Sequence, residues 1–235
     1  MSLYTDVFNY NPKCVFCYQN DFYLYRSLFS DCNFEDFIIY KTPNFIVLPD
    51  IAPMVEGYLL IIPLTHYSCF GRLPKVNYEE FYEVKNFVTQ LLRDSYTDPI
   101  FFEHGPAQPK HAGCCIEHAH IHCIPLVADI SSIINGNIIR ANISSITDLC
   151  YYTEKMISYL YYENNNVGIQ YVYPLTDKYK ILPSQYLRRV LAESLSLKYW
   201  NWREMVTDEK YQEQNKKRIF ATITKLKKKA PKILL

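Results

Sequence analysis

The stretch His118-Ala119-His120-Ile121-His122-Cys123-Ile124-Pro125 constrains this chain more than any other. Histidine alternates with small or apolar residues, and a period of two marks a strand whose side chains point to opposite faces in turn. On such a strand His118, His120 and His122 share one face, while Ala119, Ile121 and Cys123 take the other. Neighbouring histidines then stand about 6.6 Å apart and the outer pair about 13 Å. A metal ion holds nitrogen ligands at about 2 Å, so a straight strand does not bring all three imidazoles to one ion. Two of them, completed by a carboxylate or another histidine, would suit a metal hydrolase. A division of labour fits the spacing better. The middle imidazole acts as nucleophile or base, and its neighbours hold its tautomer and meet negative charge. The chain has six histidines in 235 residues, and five of them fall between His104 and His122. Turns in "HG" and "HAG" just upstream can bring backbone N–H groups toward a phosphate.

The segments around this strand point to an antiparallel sheet. "FIIYKTPNFIVLPD" reads as two strands turning at Pro43-Asn44, "EGYLLIIPLTHY" as a third and "IFFEHG" as a fourth. Between the last two, Phe81, Val84, Phe87, Val88, Leu91 and Leu92 recur at helical spacing behind an acidic first turn. Hairpin-sized connections outnumber crossovers, so the expected class is α+β: an antiparallel sheet flanked by helices. Residues 1–128 read as one unit and 129–235 as a smaller α+β extension. In the extension we expect a helix over "ITDLCYYTEKMISYLYY", a strand at "GIQYVYPL", a helix opened by Pro183 and a basic terminal helix.

Charge and cysteine usage narrow the class further. The net charge of +1 hides an asymmetry: from Glu209 onward nine Lys/Arg face two Glu, a net of +7, leaving about −6 on residues 1–208. Such a tail can attract nucleic acid, or serve only as a solvated helix. No apolar run is long enough to span a membrane. "MSLYTDVFNY" has neither the basic start nor the apolar core of a secretory signal. Eight cysteines in a chain of this length suit a reducing, cytoplasmic compartment with some thiols used as metal ligands. Cys14 and Cys17 have the spacing at which one tight turn presents two thiolates to one ion. A redox role for this CxxC lacks a surrounding thioredoxin-like βαβ unit.

Four elements in order resemble the histidine triad (HIT) superfamily: "PKCVFC", "NFIVLPDIAPMVEGYLLIIPLTH", "FFEHG" and "HAHIHCIPL". The resemblance covers roughly residues 12–128. It implies a HIT-like sheet, a homodimer, and hydrolase or nucleotidyltransferase activity at the α-phosphorus of a nucleotide conjugate. By position, His120 would be the nucleophile forming a nucleotidyl-histidine, His122 would bind phosphate oxygens, and His118 would orient His120. Asp50 would hold the ribose hydroxyls, and Phe45 and Val47 would pack against the base. Gly113, Cys114 and Cys115 stand where the family has Gly-Gln-Ser/Thr, which gives Cys115 the place of a catalytic hydroxyl. A thiol is a poorer donor. Glu103 takes the place of the family's Asn. The resemblance also implies a structural zinc held by Cys14, Cys17, His66 and His118. With these departures, a catalytically weak nucleotide-binding adaptor and a nucleic-acid-associated factor using the basic tail stand as alternatives. In the extension, Gln185, Arg188 and Arg189, with Trp200, Trp202 and Arg203, bring arginine beside aromatics. Arg188 or Arg203 would close the nucleotide cleft if the two halves face each other.

Overall fold

The computed structural model describes residues 14–17, 23–134, 138–176 and 182–229. The opening decapeptide and Lys232 lie outside the described residues. Eight strands form one sheet: β1 (Tyr40–Lys41), β2 (Phe45–Pro49), β3 (Leu59–Pro63), β4 (Pro99–Gly105), β5 (Ile121–Pro125), β6 (Ala141–Asn142), β7 (Ser158–Asn164) and β8 (Ile169–Leu175). Their order is β1-β2-β3-β5-β4-β7-β8-β6, and every neighbouring pair is antiparallel. The helices are α1 (Tyr23–Leu28), α2 (Tyr78–Ser95), α3 (Leu149–Glu154), α4 (Tyr186–Ser194), α5 (Trp202–Thr207) and α6 (Glu209–Lys227). Among the described residues no helix is long and apolar enough to cross a membrane.

The sheet is buried on both faces, and alternation along each strand sorts its side chains between two cores. Phe45, Val47, Leu59, Ile61, Phe101, Ile121 and Cys123 pack with Phe81, Val84 and Val88 of α2. Ile46, Leu48, Leu60, Phe102, Ile124 and Tyr162 pack on the other side with Leu187, Val190 and Leu191 of α4, Met205 of α5 and Ile219 of α6. The histidine strand lies in the middle of the sheet, with His122 opposite Leu60 on β3 and Phe102 on β4.

The chain after residue 128 departs from expectation in two places: its strands join the main sheet instead of forming an α+β extension of their own, and one expected helix is largely a strand. "ITDLCYYTEKMISYLYY" is not one helix. It is helical only over Leu149–Glu154, and Met156 breaks it with a positive φ of 57°. Ser158–Asn164 then forms a buried strand beside β4. The residues in "SYLYYEN" explain the switch. Aromatics dominate it, and alternation places Tyr159 and Tyr161 in the α2 core and Leu160 and Tyr162 in the α4 core. Strands from both parts of the chain therefore build one continuous sheet, and helices α4–α6 cover its histidine-bearing face.

Candidate functional site

The residues just before β5 make two adjoining sites. At the first, Cys14, Cys17, His66 and His118 converge, with their ligand atoms all within 4.8 Å of one another. The Cys14 Sγ to His118 Nδ1 distance is 3.4 Å, Cys17 Sγ to His66 Nδ1 is 3.4 Å, and Cys17 Sγ to His118 Nδ1 is 3.8 Å. A tetrahedral ion bonded to sulfur at about 2.3 Å and nitrogen at about 2.05 Å sets S and N about 3.6 Å apart, so the donor set fits such an ion. His118 Nε2 lies 2.8 Å from the Pro63 carbonyl. A carbonyl can only accept, so Nε2 carries the proton and Nδ1 turns a lone pair to the thiols. Burial drives the His118 imidazole down to about 3, which keeps it neutral, and drives the Cys14 thiol up to about 12. A potential Cys₂His₂ metal-binding cluster is thus present.

Two residues on, His120 faces the second site. Its Nδ1 lies 2.6 Å from the His118 carbonyl and must donate to it, which leaves the lone pair on Nε2. His122 Nδ1 lies 2.8 Å from the Tyr58 hydroxyl. Among the described residues neither His120 Nε2 nor His122 Nε2 has a hydrogen-bond partner. Both rings line one cleft with Asp50, His104, Cys114, Cys115, Gln185, Arg188 and Trp202. Burial lowers both His120 and His122 from the ordinary imidazole value, so the cleft holds neutral rings.

The C-terminal helices finish this cleft. Arg188 of α4 is 2 % exposed and pairs with Asp50 through Nη1 and Oδ2 at 3.1 Å. The other Asp50 oxygen accepts from the Ala52 N–H at 2.7 Å. Trp202 Nε1 donates to Cys115 Sγ at 3.2 Å, and Arg203 reaches the Cys115 carbonyl at 3.3 Å. Gly113 makes this approach feasible. Its φ is +67°, the Gln185 N–H donates to its carbonyl at 2.8 Å, and a Cβ there would stand 2.5 Å from the Pro183 oxygen. The cleft keeps about 20 Å³ of free volume, room for about one water molecule.

The structure brings most of the expected residues together, and alternation turns three away. Asp50, Cys114, Cys115, His120 and His122 line the cleft, and Gly113 supports its wall. Phe45 and Val47 do not reach it: they point to the α2 side of the sheet, with no more than 1 % exposure, and pack in the core with Phe70 and Phe81. On the cleft side the same strand presents Ile46 and Leu48. Glu103 also faces away, accepting from the Phe70 N–H at 2.7 Å and from the Tyr159 hydroxyl at 2.7 Å. Its neighbour His104 is in the cleft instead, where Nε2 accepts from the Leu187 N–H at 3.0 Å. Phe16, inside the CxxC, sets its ring edge-on to His120 at 5.2 Å. Strand periodicity in "IFFEHG" could have identified His104, but nothing local in the sequence signals Phe16.

Residues 32–128 match the family model described as the HIT domain. That segment, a little over two fifths of the chain, has a HIT-like fold. No curated protein matches the chain. Solved structures similar to it include a zinc-bound histidine triad family protein from Mycobacterium smegmatis, 20 % identical over 61 % of this chain and 92 % of that one, with a TM-score of 0.37. A HIT family hydrolase from Clostridium thermocellum is 20 % identical over 50 % and 94 %, with a TM-score of 0.36. A yeast Ap4A phosphorylase in complex with AMP is 12 % identical over 74 % and 73 %, with a TM-score of 0.40. The HIT match ends at residue 128, so Arg188 and Trp202 come to the cleft from beyond the matched segment.

Proposed function

We propose that the cleft binds the phosphate-bearing part of a nucleotide or nucleotide conjugate, in a HIT-like protein whose chemistry at the α-phosphorus is weak. The observation that carries this is the buried pair of unpartnered nitrogens, His120 Nε2 and His122 Nε2, on two neutral rings. One offers a lone pair to a phosphorus in the cleft, and the other faces the same space with a nitrogen suited to its oxygens. Three observations support weak chemistry. The cleft is narrow, with free volume for about one water molecule beside the α4–α5 wall. Asp50, the ribose candidate, already bonds Arg188 and the Ala52 amide. Cys115 has a thiol where a hydroxyl donor would serve better, and its sulfur accepts from Trp202.

In the reaction this site allows, a bond forms from His120 Nε2 to the α-phosphorus as the bond to the leaving group breaks. The leaving group takes a proton from solvent, and water, losing a proton to solvent, or a second acceptor then releases the nucleotide from histidine. His122 binds a phosphate oxygen, and the Cys₂His₂ cluster, with a structural zinc, fixes the carbonyl that orients His120. A reducing, cytoplasmic compartment and a homodimer are the setting and assembly we expect. The decisive experiment is calorimetry with AMP and GMP, followed by intact-mass analysis after incubation with adenylated phosphoramidates and dinucleoside polyphosphates. Binding with slow or no labelling of His120 is expected. Rapid turnover that disappears in His120→Ala would replace the weak reading with full catalysis, and no nucleotide binding would end both.

One observation favours a second reading, nucleic-acid association through α6. Lys210, Lys216, Lys217, Lys225 and Lys227 of that helix are exposed. Part of this charge is used internally, since Lys225 sits over the Tyr96 ring at 3.8 Å and Lys217 pairs with Glu213 at 3.4 Å. RNA binding that weakens steeply with salt and is lost in a Lys216→Glu/Lys217→Glu chain would establish it.

A further inference from the structure

Arg188 has the charge to hold a substrate phosphate, but its donors are already used. A guanidinium has five N–H groups. Nε donates to the Trp200 carbonyl at 3.0 Å, and Nη2 donates to the Ala52 carbonyl at 2.7 Å and to Met205 Sδ at 3.8 Å. Nη1 donates to Asp50 Oδ2 at 3.1 Å and to the Tyr58 hydroxyl oxygen at 3.3 Å. None is left for a ligand, so in this closed arrangement Arg188 acts through what it touches.

The contact with Tyr58 leads back to the triad. Arginine has no acceptor, so the Tyr58 oxygen accepts from Arg188 and keeps its single proton to donate. Among the described residues the only other hydrogen-bond partner of that hydroxyl is His122 Nδ1, 2.8 Å away. If His122 carried its proton on Nδ1, the hydroxyl proton of Tyr58, a residue with no measurable exposure, would have no acceptor, a costly arrangement in a core. Nδ1 therefore accepts. A neutral ring then carries its proton on Nε2, the nitrogen left for the cleft. Phe102 stacks on the His122 ring at 4.4 Å and 28°, which fixes the plane in which that N–H points. The positive charge of Arg188 works in the same direction: it strengthens Tyr58 as a donor and opposes protonation of His122.

We propose that Arg188, acting through Tyr58, is a positioning residue that sets His122 as a neutral Nε2–H donor aimed into the triad cleft. The proposal assigns to the C-terminal segment a task inside the triad, and its use for phosphate recognition rests on the nucleotide reading above. It also gives the recognition a class: His122 offers one hydrogen bond and no charge, which suits an oxygen of a phosphate ester.

Long-range ¹H–¹⁵N correlation spectra of the full chain near neutral pH test the relay without any ligand, because nitrogen shifts report imidazole tautomers. The His122 signals are assigned from the spectrum of His122→Gln. The expected result is a single Nε2–H tautomer for His122 in the unmodified chain and a mixture of tautomers in Tyr58→Phe, with unchanged zinc content showing that the fold persists. An Nδ1–H tautomer in the unmodified chain, or an unaltered His122 pattern in a folded Tyr58→Phe, overturns the proposal. The first of these outcomes needs no variant to fold. With AMP and adenosine as probes, Tyr58→Phe should weaken AMP by about tenfold, the loss of one buried hydrogen bond's worth of order, and leave adenosine unchanged. Equal losses for both would overturn the phosphate assignment. If AMP fails to bind the unmodified chain, the nucleotide reading falls, and the tautomer spectra still decide the relay.

Discussion

His118 and His120 are two residues apart and serve different kinds of site. His118 belongs to a corner where three sulfur–nitrogen separations of 3.4, 3.4 and 3.8 Å suit a tetrahedral ion. His120 belongs to a cleft whose polar groups are arranged for a ligand but whose free volume is about that of one water. The corner draws on residues 14 to 118, all in the first half of the chain. The cleft is closed by Gln185, Arg188 and Trp202, some seventy positions further on. One site is therefore built within the first 118 residues, and the other is completed by the C-terminal helices.

The sharpest break in this comparison is removal of the metal. The corner ties the Cys14–Cys17 turn to the His66 loop and to the strand that carries His120, so its loss should act on stability first. Purified chain is expected to hold about one zinc, and Cys14→Ser or Cys17→Ser to hold none. The melting temperature should fall by about 10 °C or more, since structural zinc contributes directly to folding. Metal analysis alongside calorimetry checks this. A chain that binds no zinc and melts as its cysteine variants do would show that the corner is only a cluster of thiols and imidazoles.

This contrast also explains what could be read in the sequence. The corner and the triad rest on short spacings, CxxC and HxHxH, whose geometry follows from one turn and one strand. The two hairpin strands at Pro43-Asn44, α2 and the terminal helix are equally local patterns. The aromatics of "SYLYYEN" suit helix or strand, and only its place beside β4 makes it a strand. Position along the chain points Phe45 and Val47 to the base, whereas pleat alternation turns them to the α2 core. Arg188 was visible as an arginine near aromatics, but its five acceptors lie on residues 50, 52, 58, 200 and 205, a set that no spacing announces.

Arg188 supplies the next largest effect. Arg188→Met leaves Asp50 as a buried carboxylate without its cation, and removal of one partner from such a pair costs about 3–5 kcal/mol. Urea unfolding should show that loss, and Arg188→Met/Asp50→Asn should recover most of it. If the single variant loses less than about 1 kcal/mol, the helices are held by apolar packing alone and the cleft is less dependent on the pair than its geometry implies.

A pH-dependent effect of similar size separates the two faces of β4. Burial lowers His104 to about 3 from 6.5, so between those values the unfolded chain binds a proton that the folded chain refuses. Stability from this group falls as pH falls through that range, by about 1.4 kcal/mol per pH unit at most. Glu103, facing the other core, is raised by burial to about 8 from 4.5. The folded chain keeps that proton, so its contribution falls as pH rises from 4.5 to about 8. Urea midpoints for His104→Gln should flatten the acid side of the stability curve, and those for Glu103→Gln the alkaline side. Identical curves for both variants and the unmodified chain would mean that neither group is held as its surroundings require.

The smallest change probes the cleft wall itself. Cys115→Ser replaces a weak donor by a strong one and shortens the side chain's reach to Trp202 Nε1, now at 3.2 Å from sulfur. Stability should change by no more than about 1 kcal/mol, because one modest hydrogen bond is exchanged for another. Chemistry should respond more: with a hydroxyl available to the leaving group, labelling of His120 by an adenylated phosphoramidate is expected to speed up several-fold. The comparison with Trp202→Ala then separates two brakes. If Trp202→Ala speeds labelling and Cys115→Ser does not, closure of the cleft limits the reaction. The reverse would assign the limit to the missing hydroxyl. Acceleration only when both are changed would mean that wall and thiol act in series, as the hydrogen bond between them suggests.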